Sequence, residues 1–187
     1  MSENGPVAIV GGGCAGLALA ARLADRGALP RRVVVLEPRT RYTDDRRWCF
    51  WRPTGGPFDR LVCAEWPSWR VSADGAETVR GDPDRPYQMV RAIDFYRDAQ
   101  ARIAAHPDVE LLTGVEVAAV RDTAEGPRVE TSAGTLAAAT VVDTRPPSGG
   151  WRTAAPMLQL FCGAEIETDA PRFDPSTAGL MEFRPSD

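Results

Sequence analysis

Gly11, Gly13, Gly16 and Glu37 are the residues whose types and spacing could do chemistry together. A Gly-x-Gly-x-x-Gly turn between a strand and a helix reverses the chain tightly. It also lets backbone approach a pyrophosphate and lets the helix pack close to the strand. The start of that helix, at Cys14 and Ala15, adds N–H donors and the positive end of the helix dipole. Glu37 closes the next apolar run, 21 residues beyond Gly16, where a carboxylate can accept the two hydroxyls of a ribose. Together these residues predict a dinucleotide site, the alternative being a glycine-rich turn with no ligand. An acid at position 37 disfavours a 2′-phosphate, although Arg39 stands two residues further on.

Composition removes most other chemistries. All 22 basic residues are Arg, so there is no lysine for a Schiff base or a Walker-type phosphate grip. One histidine, His106, is too few for a His-based triad or a His-rich metal site. Cys14, Cys49, Cys63 and Cys162 form no CxxC pair, so no zinc or other metal site is expected, and they read as reduced cysteines of a cytosolic protein. Arginines are interleaved among the aromatics of the stretch 48–69, a pattern that single-stranded nucleic acid can use. A net charge of −4 argues against that reading, and no nucleic-acid partner is expected. No apolar run approaches the roughly 20 residues of a membrane helix.

The elements that must position these residues are legible in part. Val7–Val10 and Arg32–Glu37 read as buried parallel strands joined by a helix over Cys14–Arg26, with Gly27 as its terminator. From Pro38 to Pro86 regular periodicity fails, which points to a functional excursion or hidden short strands. Val90–Ala105 reads as a helix, Val109–Leu112 as a third buried strand, and Val115–Arg121, Arg128–Thr131 and Thr135–Leu136 as an antiparallel meander. Thr140–Asp143 follows as another strand. Leu158–Glu167 and Gly179–Phe183 read as strands of a new region with too few partners to cover their edges. The fold class is therefore α/β: a Rossmann-like dinucleotide-binding domain with an inserted β-meander over residues 1–147, its aromatic-rich excursion at 38–86. Residues 148–187 form the incomplete start of a β-rich substrate domain.

That element order resembles the FAD-binding domains of the glutathione-reductase and hydroxybenzoate-hydroxylase type. The resemblance implies that backbone at Val117 meets the adenine, that the Thr140–Thr144 segment with Asp143 returns toward the pyrophosphate, and that Arg91 reaches the flavin side; a surface cation is the alternative for Arg91. Three further segments narrow it. Asp44-Asp45-Arg46-Arg47-Trp48-Cys49-Phe50-Trp51, Tyr87-Gln88-Met89-Val90-Arg91, and the stretch from Leu158 to Thr168 with Phe173-Asp174-Pro175 and Leu180-Met181-Glu182-Phe183-Arg184 resemble successive blocks of the bacterial lycopene β-cyclases. Ala164 stands where that family usually carries Trp, and Cys49 where it usually carries Ser.

The family resemblance implies a flavoprotein that uses reduced FAD, with NAD(P)H as reductant, to cyclise the linear ends of lycopene to β-rings without net redox change. It implies a carotenoid partner and peripheral attachment to the inner face of the cytoplasmic membrane. Trp48, Phe50 and Trp51 are candidates for an apolar wall of the substrate channel, or else for packed core. Glu165 and Glu167, with Asp169, are weak candidates for the proton donor if they share a buried strand face, and solvated edge residues otherwise. Two alternatives stay open: a redox monooxygenase or reductase on the same fold, and a non-catalytic dinucleotide-binding fragment. The ending at Asp187 reads as truncated, so the chain by itself is expected to be inactive.

Overall fold

The computed structural model describes residues 5–146 and 164–183. They divide into two compact units, one from the described residues of Met1–Thr43 and Tyr96–Pro156, the other from those of Asp44–Phe95 and Met157–Asp187.

The first unit is built on four parallel strands. β1 (Val7–Val10) and β2 (Val33–Glu37) are runs of β-branched and apolar residues, and every residue of β2 is buried. Such runs suit a strand covered on both faces. β1 pairs on one side with β2 and on the other with β12 (Thr140–Asp143), while β8 (Val109–Thr113) extends the sheet beyond β2, giving the order β12-β1-β2-β8. Ala8, Val10, Val34 and Leu36 form a core with Val117, Val129 and Ala138 of the meander region. The alternate residues Ile9 and Val35, fully buried, point to the opposite face. α1 (Cys14–Ala24) buries Leu17, Ala20 and Ala21 and packs on β1, β2 and β8. It stops two residues earlier than the sequence suggests: Asp25 is the C-cap, and Gly27, with φ +76°, reverses the chain after it.

The meander is β9 (Val117–Thr123), β10 (Gly126–Thr131) and β11 (Gly134–Ala137), antiparallel in that order. It leads directly into β12, so the third and fourth strands of the parallel sheet are joined through it. This is the expected α/β class, a Rossmann-like sheet with an inserted meander.

The excursion contains strands. β3 (Arg47–Trp51), β4 (Val62–Trp66) and β7 (Tyr87–Arg91) form one antiparallel sheet with β7 in the middle. β5 (Ser68–Ala73) and β6 (Ala76–Gly81) form a hairpin. Its two-residue loop, Asp74-Gly75, has φ of +49° and +76°, the type I′ geometry that matches strand twist. The expected helix over Val90–Ala105 is corrected at its start. Val90 and Arg91 belong to β7, where Gln88 and Val90 alternate as buried residues, and α2 covers Ala92–Ala104.

The strand expected from Gly179 is β13 (Thr177–Phe183), which pairs in parallel with β5. One of its edges is thus covered, contrary to the unpaired edges anticipated. The strand expected over Leu158–Glu167 is not found in its described part, because residues 164–168 have no regular structure. Leu158–Gly163, Cys162 among them, lie outside the described residues, as does Arg184.

Candidate functional site

The glycine turn joins β1 to α1 in the first unit. Gly11 takes φ +96°, and its N–H donates to Leu36 O at 2.9 Å, which ties the turn to β2. A Cβ on Gly16 would stand 1.9 Å from Gly11 O, so the helix can approach the strand only with glycine there. A Cβ on Gly12 would stand 2.5 Å from the Tyr42 hydroxyl and 2.9 Å from Glu37 Cβ. Gly13 differs from all of these, since a Cβ there meets nothing within 4 Å. It is the N-cap of α1, it caps with no side chain, and no acidic residue sits in the first turn. The described residues give no reason for glycine at 13. An open cradle at an uncompensated helix N-terminus fits an anionic group brought close to backbone.

Glu37, 4% exposed, is anchored where β2 ends. Its Oε2 accepts the Gly12 N–H at 2.7 Å, and Oε1 accepts the Arg39 N–H at 2.9 Å and Arg39 Nε–H at 2.7 Å. Burial alone would push its carboxyl up. The Arg39 side chain and the two backbone donors outweigh this and hold it below the ordinary carboxylate range. Arg39 is held in turn by Gly12 O, 3.1 Å from Nη2, and its guanidinium carbon lies 4.6 Å from the Tyr42 ring centre and 5.4 Å from that of Tyr96. The Tyr42 hydroxyl donates to the same carbonyl at 3.0 Å. Burial, with the Glu37 charge adding to it, pushes the Tyr42 phenol far above its ordinary value, which keeps it a donor. A carboxylate has about four lone-pair positions. Three are taken here, so Glu37 can receive one ribose hydroxyl as it stands and two once Arg39 turns aside.

The C-terminal end of β12 completes the site. Thr144 Oγ lies 2.9 Å from Val10 O and 3.1 Å from Gly11 O. Asp143 is matched by Arg145: Nε and Nη2 bind its carboxylate at 3.0 and 2.8 Å, and this pairing holds the carboxyl below its ordinary value despite partial burial. Arg145 Nη1 also donates to Val117 O at 2.7 Å. A pocket of about 280 Å³ opens here, lined by Val10, Gly11, Leu36, Glu37, Pro38, Glu116, Val117 and Arg145. Of the residues read from the sequence, Gly11, Gly13, Cys14, Ala15, Gly16, Glu37, Val117 and Asp143 thus belong to one unit, and Gly11, Glu37 and Val117 line one pocket. Thr144 ends the segment that the sequence reading brought toward the pyrophosphate, whereas Tyr42, Arg145 and Glu116 were not read as site residues. Thr144 and Arg145 carry a usable signal, because ligands of open parallel sheets bind beyond the C-terminal ends of the strands.

The remaining candidates lie in the second unit. Arg91, exposed at the end of β7, is ion-paired with Asp44 at 2.5 Å. Trp48 and Phe50 point to one face of β3 and Trp51 to the other. Trp48 meets Phe95 edge-on at 5.1 Å, whereas Trp51 lies against Tyr87 at 4.6 Å and Trp69 at 5.4 Å. The three do not line a common wall. Glu165, Glu167 and Asp169 are exposed on irregular chain, and Glu165 pairs with Arg47 at 2.7 Å. The apolar strand face on which the acid role depended is not there. Among the described residues no group of three His, Cys, Asp or Glu side chains could hold a metal ion, and no helix is long and apolar enough to cross a membrane.

The model of the family "Lycopene cyclase protein" matches residues 6–187. The chain belongs to the lycopene cyclase family. No curated protein matches it. Among solved structures it is similar to p-nitrophenol 4-monooxygenase PnpA from Pseudomonas putida DLL-E4, at 21% identity and a TM-score of 0.59, over 75% of this chain and 40% of that one. It is similar to PqsL from Pseudomonas aeruginosa, a probable FAD-dependent monooxygenase, at 20% identity and a TM-score of 0.57, over 73% and 41% of the two chains. A third is 2-methyl-3-hydroxypyridine-5-carboxylic acid oxygenase, at 16% and 0.59, over 75% and 39%. At these identities the likeness is one of fold. The family member described here spans about two-fifths of the length of those structures.

Proposed function

We propose that the first unit binds FAD and that the chain serves the cyclisation of lycopene ends to β-rings. The observation that carries the first part is Gly13, a glycine that nothing among the described residues requires, set at the N-terminus of α1 with no side-chain cap. The turn's backbone and the α1 N-terminus would take the pyrophosphate, Glu37 the ribose, and the neighbouring pocket the adenine. Asp143 and Arg145 form a neutral pair and so add no repulsion toward the phosphates. Membership of the lycopene cyclase family supports the second part. Reduced FAD, kept so by NAD(P)H, supplies negative charge that stabilises the cation formed when a lycopene end is protonated. The exposed Glu165 and Glu167 are not proposed as the proton donor, and Trp48 and Phe50 are proposed for the substrate side without Trp51. A hydrocarbon substrate dissolved in lipid implies peripheral attachment to the inner face of the cytoplasmic membrane.

A second reading, an FAD-dependent monooxygenase or reductase, is favoured by the neighbours PnpA and PqsL. A third, a dinucleotide-binding module without catalysis, rests on the same site. The full-length gene expressed in a lycopene-accumulating host separates them. A cyclic product of unchanged mass is expected. A product of altered mass supports the redox reading, and unchanged lycopene with retained flavin supports the binding module.

A further inference from the structure

The pocket beside Glu37 has a composition that the dinucleotide reading leaves unexplained. Its volume, about 280 Å³, falls just below the roughly 300 Å³ at which whole small-molecule sites begin. It therefore suits one part of a dinucleotide. Three charged residues line it: Glu37, already held by Gly12 and Arg39, and the oppositely charged Glu116 and Arg145, which the structure treats differently. Arg145 is fixed at several points: Nε and Nη2 on Asp143, Nη1 on Val117 O. Its in-plane edge is thereby occupied and its planar faces are held in one orientation. A guanidinium pinned in this way is a stacking surface for an aromatic ring, where a mobile one would be a phosphate hook.

Glu116 is the reverse. Its backbone is fixed on both sides to Ser132, the N–H donating to Ser132 Oγ at 3.1 Å and the carbonyl accepting Ser132 N–H at 2.9 Å. Its carboxylate makes no hydrogen bond or ion pair among the described residues. Glu116 is thus an exposed acceptor at the pocket wall with its backbone locked and its side chain uncommitted.

We propose that Glu116 and Arg145 are the base-recognition residues of this pocket: the Glu116 carboxylate accepts the exocyclic amino group of adenine while the base stacks on the pinned Arg145 guanidinium. The inference rests on the dinucleotide reading and deepens it, turning a general nucleotide pocket into one that selects a 6-amino purine. A 6-oxo purine presents a carbonyl at the same edge, and two acceptors facing each other repel. Selectivity is therefore carried by Glu116 and overall affinity by Arg145.

The test is calorimetric titration of the purified chain with ADP, inosine diphosphate and inorganic pyrophosphate. The wild type is expected to prefer ADP over inosine diphosphate by about threefold to tenfold, the value of one hydrogen bond to a partly solvated charged group. Glu116→Gln is expected to bring that ratio close to one, because an amide can donate to the 6-oxo group. Its melting temperature should not move, since no contact is lost. Arg145→Ala is expected to weaken ADP and inosine diphosphate alike, and more than pyrophosphate, which loses only through the Asp143 charge that the substitution uncovers. An ADP preference that survives Glu116→Gln overturns the inference while leaving the dinucleotide site standing. Binding of pyrophosphate with no gain from either nucleoside overturns it as well. If the wild type binds none of the three, the dinucleotide reading fails and the inference falls with it.

Discussion

The two units bury their strands in different ways, and their polar side chains follow suit. In the first, β2 is buried along its whole length and β1 nearly so, because α1 covers one face and the meander the other. Side chains near the sheet's C-terminal edge are committed to backbone: Glu37 and Tyr42 to Gly12, Thr144 to Val10 and Gly11, Arg145 to Val117. In the second unit no strand among the described residues is buried throughout, β6 is exposed at every residue, and charges pair with one another at the surface, as Arg91 does with Asp44 and Arg47 with Glu165. A side chain bonded to loop backbone fixes a shape into which a ligand can fit. A surface ion pair fixes little, since water competes for both partners. The contrast therefore locates the rigid ligand-shaped part of the molecule in the first unit.

The strongest way to break this comparison is through two glycines three residues apart. Gly16→Val places Cβ against Gly11 O, so α1 must move off the sheet. A loss of at least about 3 kcal/mol of stability is expected in denaturant unfolding. Gly13→Val meets empty space and is expected to unfold within about 1 kcal/mol of wild type, the modest cost of a poor N-cap residue. Its effect falls on the ligand, with FAD or ADP affinity dropping about a hundredfold or more by titration. Equal ligand affinity in Gly13→Val and wild type would remove the dinucleotide site from the turn.

Glu37→Gln sharpens the comparison by asking whether the carboxylate organises the turn before any ligand arrives. The amide keeps one acceptor but turns its NH2 toward the donors of Gly12 or Arg39. A loss of about 1.5–3 kcal/mol is expected at neutral pH, the range for hydrogen bonds to a charged group. Because the folded carboxyl is held below its ordinary value of 4.5, the folded state binds fewer protons than the unfolded one in that range. The stabilisation is then complete above pH 4.5 and disappears as pH falls through the lower folded value. The gap between wild type and variant in unfolding free energy should close over that acidic window. A gap that stays constant with pH would show that the variant's cost is one of shape and not of charge.

The same contrast explains what was legible in the sequence. β1, α1, β2 and β8 are local patterns closed by their own signals, a β-branched run or a glycine, and the glycine fingerprint with Glu37 sits inside them. The meander was legible because its turns carry Gly126 and Gly134 at positive φ. In the second unit the signals are tertiary. Tyr87–Arg91 alternates, but it leads without a break into α2, and helical periodicity read backward from Ala92 absorbs Val90. The hairpin β5–β6 did carry a strong local mark, Asp74-Gly75, which the density of Arg, Pro and Trp around it obscured. Glu165 was placed on a strand by its neighbours' composition, yet residues 164–168 have none of the pairing a strand requires. At the site itself, Arg39 was noted only as a cation near the ribose acid and Arg145 not at all, because an arginine's partner, not its position, decides whether it is a surface cation or a clamp.

The smallest expected effect concerns β3, whose three aromatics the sequence grouped together. Trp48 is partly buried and meets the buried Phe95 edge-on, which Phe58 also approaches at 5.9 Å. Trp51 is 48% exposed and shares its contacts with Tyr87 and Trp69, both themselves partly exposed. Truncating Trp48 removes ring area from a packed cluster. Truncating Trp51 removes ring contacts that water already reaches, each aromatic pair contributing roughly 0.5–1.5 kcal/mol beyond area. Trp48→Ala is therefore expected to lower unfolding free energy by about 2 kcal/mol and Trp51→Ala by about half that. The readout is tryptophan fluorescence during urea unfolding, where loss of Trp48 should also remove the more blue-shifted part of the emission. If the two variants lose the same stability, the faces of β3 are equally packed. Trp51 would then rejoin Trp48 and Phe50 as a core residue, and the proposed separation of the substrate side from the solvent side of that sheet would be lost.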